Sequence, residues 1–179
     1  LARAGFTDAA GDYHLAVPPG RYSLVFLDPL QATSLEWYDG RAAINLVTED
    51  DLVTVEAGAT ATADAALAAS GVPAAVNPAT ISGTVSGPGG PLAGAFVVAT
   101  DFDTGRYRGA TTDATGHYSI TGLHPGAGYR LEFVDPTAAT LVEWHDNQPA
   151  VDIEAAAVLS LTAGGAQVVN ATLADDPGR

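Results

Sequence analysis

Thr112-Asp113-Ala114-Thr115-Gly116-His117-Tyr118, then Pro125-Gly126, then Tyr129-Arg130-Leu131-Glu132-Phe133-Val134-Asp135-Pro136: this stretch decides the fold. Tyr129, Leu131 and Phe133 alternate with Arg130 and Glu132. That period of two places the apolar side chains on one face of a half-buried β-strand. Upstream, Asp113-Ala114-Thr115-Gly116 reads as a tight hairpin turn, because Asp can bond its own backbone and Gly can take positive φ.

Working outward, the same words recur earlier in the chain. Gly11-Asp12-Tyr13 matches Gly116-His117-Tyr118, and Phe26-Leu27-Asp28-Pro29 matches Phe133-Val134-Asp135-Pro136. Glu36-Trp37-Tyr38-Asp39 likewise matches Glu143-Trp144-His145-Asp146. Tyr13 and Tyr118 are 105 residues apart, Trp37 and Trp144 107, and Gly58 and Gly164 106. The chain is therefore read as two copies of one module. For the second copy the pattern predicts strands near 80–86, 94–100, 106–112, 117–122, 128–134, 141–145, 157–162 and 166–174. For the first it predicts strands from about residue 2, then near 12–17, 21–27, 35–38, 51–56 and 60–67. Residues 1–68 form an incomplete repeat, 69–79 a short stiff linker with two Pro, 80–175 a complete repeat and 176–179 a tail.

The incompleteness is the sharpest clue. Leu1 aligns with Arg106, so nothing in the chain matches residues 80–105. Ile81, Val85, Phe96 and Val98 in that segment are expected core. Burying four such side chains contributes roughly 6–12 kcal/mol, comparable to a domain's whole net stability of about 5–15 kcal/mol. The first module is therefore expected to obtain equivalent strands from sequence upstream in a longer tandem array or from a neighbouring chain. The chain also opens on Leu1 and has no Met, which predicts a processed or internal start.

Composition narrows the function classes. A net charge of −14 argues against nucleic acid and against anionic membrane surfaces. No apolar run approaches the length of a membrane span. Cys is absent, which excludes disulfides and thiolate metal sites.

The Thr-Asp-x-x-Gly-x-Tyr, Pro-Gly and Tyr-x-Leu-x-Phe-x-Asp-Pro pattern at 112–136 resembles the carboxypeptidase regulatory-like domain. So do Ile81-Ser82-Gly83-Thr84-Val85 and Pro91-Leu92-Ala93-Gly94-Ala95. That group is similar to transthyretin-like domains and to B-type repeats of Gram-positive surface adhesins. The resemblance implies an all-β fold of two tandem Ig-like/transthyretin-like antiparallel β-sandwich modules, the first lacking its N-terminal strands. It implies an extracellular or cell-surface setting. It also covers stalks, spacers, adhesins and enzyme accessory domains, so it does not select a function. Some adhesin repeats carry a Lys–Asn or Lys–Asp isopeptide bond; all seven basic residues here are Arg, so that chemistry has no amine nucleophile.

Candidate sites are few. None of His14, His117, His124 and His145 recurs at the same position in both copies, and no nucleophile elbow is present. An enzyme is not expected. Asp101, Asp103 and Asp113 place hard oxygen ligands in two successive turns, a possible Ca²⁺ site; the bland alternative is turn formation. No other cofactor is implied. Trp37 and Trp144, beside Glu36 and Glu143, offer stacking surfaces and carboxylates for a glycan; the alternative is core packing. A metal at Glu143, His145 and Asp146 is disfavoured, because Asp146 points away from the other two and Tyr38 replaces the His in the first copy. The Asn170-Ala171-Thr172 sequon lies inside a predicted strand and is given no weight. The expected function is a non-enzymatic stalk, spacer or filament subunit, partnered by adjacent repeats or other copies of itself. The alternative is a carbohydrate- or protein-binding adhesin module using the Trp edges and acidic loops.

Overall fold

Apolar alternation in the sequence becomes buried faces in the computed structural model, which describes residues 3–42, 52–137, 139–149 and 152–176. The first five strands are β1 (Gly20–Tyr22), β2 (Val25–Phe26), β3 (Glu36–Trp37), β4 (Arg41–Ala42) and β5 (Val53–Val55). Next come β6 (Ala79–Gly87), β7 (Gly90–Pro91), β8 (Phe96–Asp101), β9 (Arg106–Thr111), β10 (His117–Leu123) and β11 (Gly128–Val134). Last are β12 (Glu143–Trp144), β13 (Gln148–Pro149), β14 (Leu159–Ser160), β15 (Ala166–Val168) and β16 (Ala171–Thr172). The fold is all-β; a 3₁₀ turn at Ile153–Ala155 is the sole helical element among the described residues. By contacts the chain forms two compact units, Leu1–His14 with Pro73–Arg179, and Leu15–Val72.

The first of these units is a β-sandwich. One sheet is built on β6, with β10 antiparallel on one side, β15 and β16 parallel on the other, and β7 closing a hairpin. The other runs β13-β12-β11-β8-β9, with β14 also on β11. Between them lie Ile81 and Val85 of β6, Val97 and Ala99 of β8, Tyr118 and Ile120 of β10, and Tyr129, Leu131 and Phe133 of β11. Residues 3–14, which the repeat alignment counts with the first copy, contribute to this unit. Phe6 sets its ring edge against Phe96, with centroids 5.5 Å apart, and Arg3 Nη1 donates to the Thr137 carbonyl at 2.9 Å.

Phe96 and Val98 are buried as expected, each 7% exposed, but on the face of β8 opposite Val97 and Ala99, which belong to the main core cluster. The strand is covered on both faces, so an apolar run alone does not reveal which parity faces the core.

In Leu15–Val72 the pairings repeat those of the sandwich residue for residue. Tyr22↔Val53 corresponds to Tyr129↔Leu159, Val25↔Trp37 to Glu132↔Trp144, and Phe26↔Glu36 to Phe133↔Glu143. Trp37↔Arg41 corresponds to Trp144↔Gln148. The strands expected near 12–17 and 60–67 do not form. Their counterparts, β10 and β15–β16, owe their ladders to β6. Among the described residues no strand of the β6 kind pairs with either segment. The burial follows suit: Tyr129, Leu131 and Phe133 are 1%, 0% and 0% exposed, whereas Tyr22, Leu24 and Phe26 are only half-buried.

Candidate functional site

Three pairs of acidic side chains shared by both copies are turned onto the backbone. Asp113 Oδ1 accepts from the amides of Thr115 (2.8 Å) and His117 (3.1 Å) and from the Thr115 hydroxyl (2.7 Å). Asp8 Oδ1 does the same for Ala10 (2.8 Å) and Asp12 (3.0 Å). Both turns end in a glycine at positive φ, Gly11 at 91° and Gly116 at 76°. A side chain there would be strained. The hydrogen bonds from Thr115, its hydroxyl foremost, hold the Asp113 carboxyl below the usual range.

A second shared device is the Asp-Pro loop. Asp135 accepts the amides of Thr137 (2.8 Å), Ala139 (3.1 Å) and Thr140 (3.2 Å). Asp28 accepts those of Leu30 (2.9 Å), Ala32 (2.8 Å) and Thr33 (3.2 Å), at the same spacings. Burial alone pushes the Asp135 carboxyl up, but the Thr137 hydroxyl and these amides outweigh it, and the group sits below the ordinary range.

The Glu-Trp elements are placed by β3 and β12. Glu143 is buried and its Oε1 accepts the Ala174 amide at 2.8 Å; Glu36 Oε1 takes the Ala68 amide at 3.4 Å. Each glutamate thus ties its strand to the end of its own copy. Trp144 is 7% exposed, and Phe102 meets it edge-on with centroids 6.0 Å apart. Its ring therefore offers no open face to a pyranose. Trp37 is half-buried.

The acidic turns are separated. Asp101 is 1% exposed; its Oδ1 accepts the Asp103 amide at 3.1 Å and its Oδ2 accepts the Thr104 hydroxyl. Asp103 is exposed. Asp113 belongs to the β9–β10 hairpin turn and is engaged there. Among the described residues, no group of three or more His, Cys, Asp or Glu is placed to hold a metal ion. Asp101 and Asp103 instead line a cleft of about 300 Å³ with Arg106 and His124. Within it His124 Nε2 lies 3.1 Å from the Pro73 carbonyl, and its amide donates to Tyr129 Oη at 3.0 Å. Burial raises the Tyr129 hydroxyl pKa.

Sequence reasoning missed Asn170. Its Oδ1 accepts both the amide (2.9 Å) and the hydroxyl (3.1 Å) of Thr84. The one signal was an amide side chain between apolar strand residues, which the sequon reading discarded. Among the described residues, no helix is long and apolar enough to cross a membrane.

Several solved structures are similar to this chain. The dioxygenase domain of a dioxygenase carbohydrate-binding protein fusion from Streptomyces sp. SirexAA-E is 20% identical, covering 60% of this chain and 84% of its own, at a TM-score of 0.37. The Bacillus anthracis TIE protein is 13% identical over 94% of this chain and 28% of its own, at 0.41. Chlorocatechol 1,2-dioxygenase from Pseudomonas putida is 15% identical over 54% and 59%, at 0.32. At such scores these likenesses say nothing about activity. No curated protein matches. Residues 80–174 match the carboxypeptidase regulatory-like domain, a β-sandwich family, and the chain belongs to that family.

Proposed function

We propose that this chain is a non-enzymatic structural part of an extracellular or surface-displayed protein: a stalk, spacer or filament subunit partnered by adjacent repeats or further copies of itself. One observation carries the reading. Three pairs of acidic side chains that recur in both copies, Asp8 and Asp113, Asp28 and Asp135, Glu36 and Glu143, accept amides of their own chain. In these three pairs duplication retains groups that hold the frame. Glycan binding at Trp37 and Trp144 is the alternative, and the burial of Trp144 counts against it. Ca²⁺ at Asp101, Asp103 and Asp113 has as little support, since Asp101 and Asp113 already serve their own turns.

The same reading has Leu15–Val72 completed by strands of the β6 and β8 kind, from upstream sequence or from a neighbouring chain. Half-buried Tyr22, Leu24 and Phe26 support it. Placing a copy of residues 79–105 ahead of residue 1 tests it. Amides of residues 12–17 and 60–67 are expected to gain protection from hydrogen exchange; unchanged exchange would overturn strand completion. Oligosaccharide binding that Trp37→Ala abolishes would overturn the structural reading itself.

A further inference from the structure

The opening and closing strands of the sandwich run side by side in the same direction. β15 and β16 pair with β6 in parallel, through Ala166↔Thr80, Gln167↔Ile81, Val168↔Ser82, Ala171↔Val85 and Thr172↔Ser86. Backbone bonds link Thr80 N to Gly165 O (3.0 Å), Val169 N to Ser82 O (2.8 Å) and Leu173 N to Ser86 O (2.8 Å). Regular pairing breaks at Val169 and Asn170, and side chains fill the break. Asn170 Oδ1 takes the Thr84 amide and hydroxyl, while Tyr118 Oη donates to the Val169 carbonyl at 2.8 Å. Beyond it, the Ser86 and Thr172 hydroxyls lie 3.1 Å apart. The connection is thus continuous from Thr80 to Leu173.

Direction matters once the chain is under tension. Pulling along the polypeptide draws β6 toward Ala79 and β16 toward Leu173. For parallel neighbours these pulls are opposite and lie along the strands. Every bond between them is then strained together, and rupture requires their concerted loss. An antiparallel first and last strand would place both pulls at one end, where bonds open singly.

We propose that the β6 to β15–β16 ladder is a shear clamp that makes this sandwich load-bearing along the chain axis, with Asn170 and Thr84 as its middle link. The inference rests on the structural role proposed above and assigns it a mechanical task. It requires no ligand and no partner beyond whatever holds the two ends.

Because the chain has no Cys, engineered pairs give unambiguous handles for optical tweezers. Pro78→Cys with Ala174→Cys loads the ladder in shear. Pro78→Cys with Ala163→Cys pulls β6 and β15 apart from the same end. Forced rupture follows the unfolding barrier, so at equal loading rate the shear pair is expected to break at a force at least about twofold higher. Asn170→Ala is expected to lower the shear force and leave the peeling force nearly unchanged, and Asn170→Asp, which keeps an acceptor, to restore most of it. Equal forces in the two directions would overturn the clamp, with no bearing on the structural reading, which stands or falls on ligand binding. If Asn170→Ala does not fold, the two directions in the otherwise natural chain still decide.

Discussion

The hydroxyl of Tyr118 donates to the main-chain carbonyl of Val169, 2.8 Å away and 51 residues further along the chain. Tyr118 is 1% exposed, and burial raises its pKa far above the ordinary tyrosine range, so it is a donor at neutral pH. Tyr118→Phe keeps the ring and strands a buried acceptor. It is expected to cost about 1–3 kcal/mol, read as a lower urea midpoint with an unchanged m-value.

Gly83 faces the same carbonyl. A Cβ built there would sit 1.7 Å from Val169 O and 2.6 Å from its carbonyl carbon, both backbone atoms that cannot rotate aside. Gly83→Ala is expected to push residues 166–172 off β6 and to destabilise by about 1–3 kcal/mol or more. Hydrogen exchange should speed up at Val169 and Leu173 before it changes on β11.

Asp135 makes stability depend on acid. Its folded-state pKa is depressed, so its contribution is complete above the ordinary Asp range near pH 4 and fades as pH falls through the lower folded value. Asp135→Ala removes the acceptor of three amides and is expected to cost about 1–3 kcal/mol at pH 7. The loss should shrink as pH falls through the depressed folded value and the natural carboxyl takes up its proton. Denaturant titrations of both proteins at several pH values check this.

Glu132 carries the opposite sign. It lies on β11 opposite Val98 and Trp144, and desolvation raises its carboxyl pKa. A raised folded value means that folding is penalised once pH passes the unfolded carboxylate range, and the penalty is full above the folded one. Glu132→Gln is therefore expected to raise the melting temperature at pH 7 and to change it little at pH 3. A gain that persists at pH 3 would contradict this.

Strands β6 and β8 to β11 were legible because alternation and turn residues sit side by side in the sequence. The Asp113 hairpin is fully local: donors and acceptor lie within four residues of each other. Three features were not local. The parity of β8 was hidden because both its faces are covered. Residues 12–17 and 60–67 have strand composition, yet a strand exists only beside another strand, and among the described residues none pairs with them. Asn170 bonds a residue 86 positions away, so its neighbours in sequence suggested only a chance sequon. The Glu-Trp elements recur because each glutamate holds down the end of its copy, a bond across 31 residues in the second copy and 32 in the first.

The contact from Arg3 to the Thr137 carbonyl spans 134 residues. At about 5–20 residues per second, a ribosome needs on the order of 10 s to make the second partner after the first. Through that interval Phe6 has no Phe96 to lean on. The earliest-made residues of the sandwich are therefore among the last to find their places. Until Phe96 is made, the Phe6 ring has nothing of this sandwich to pack against.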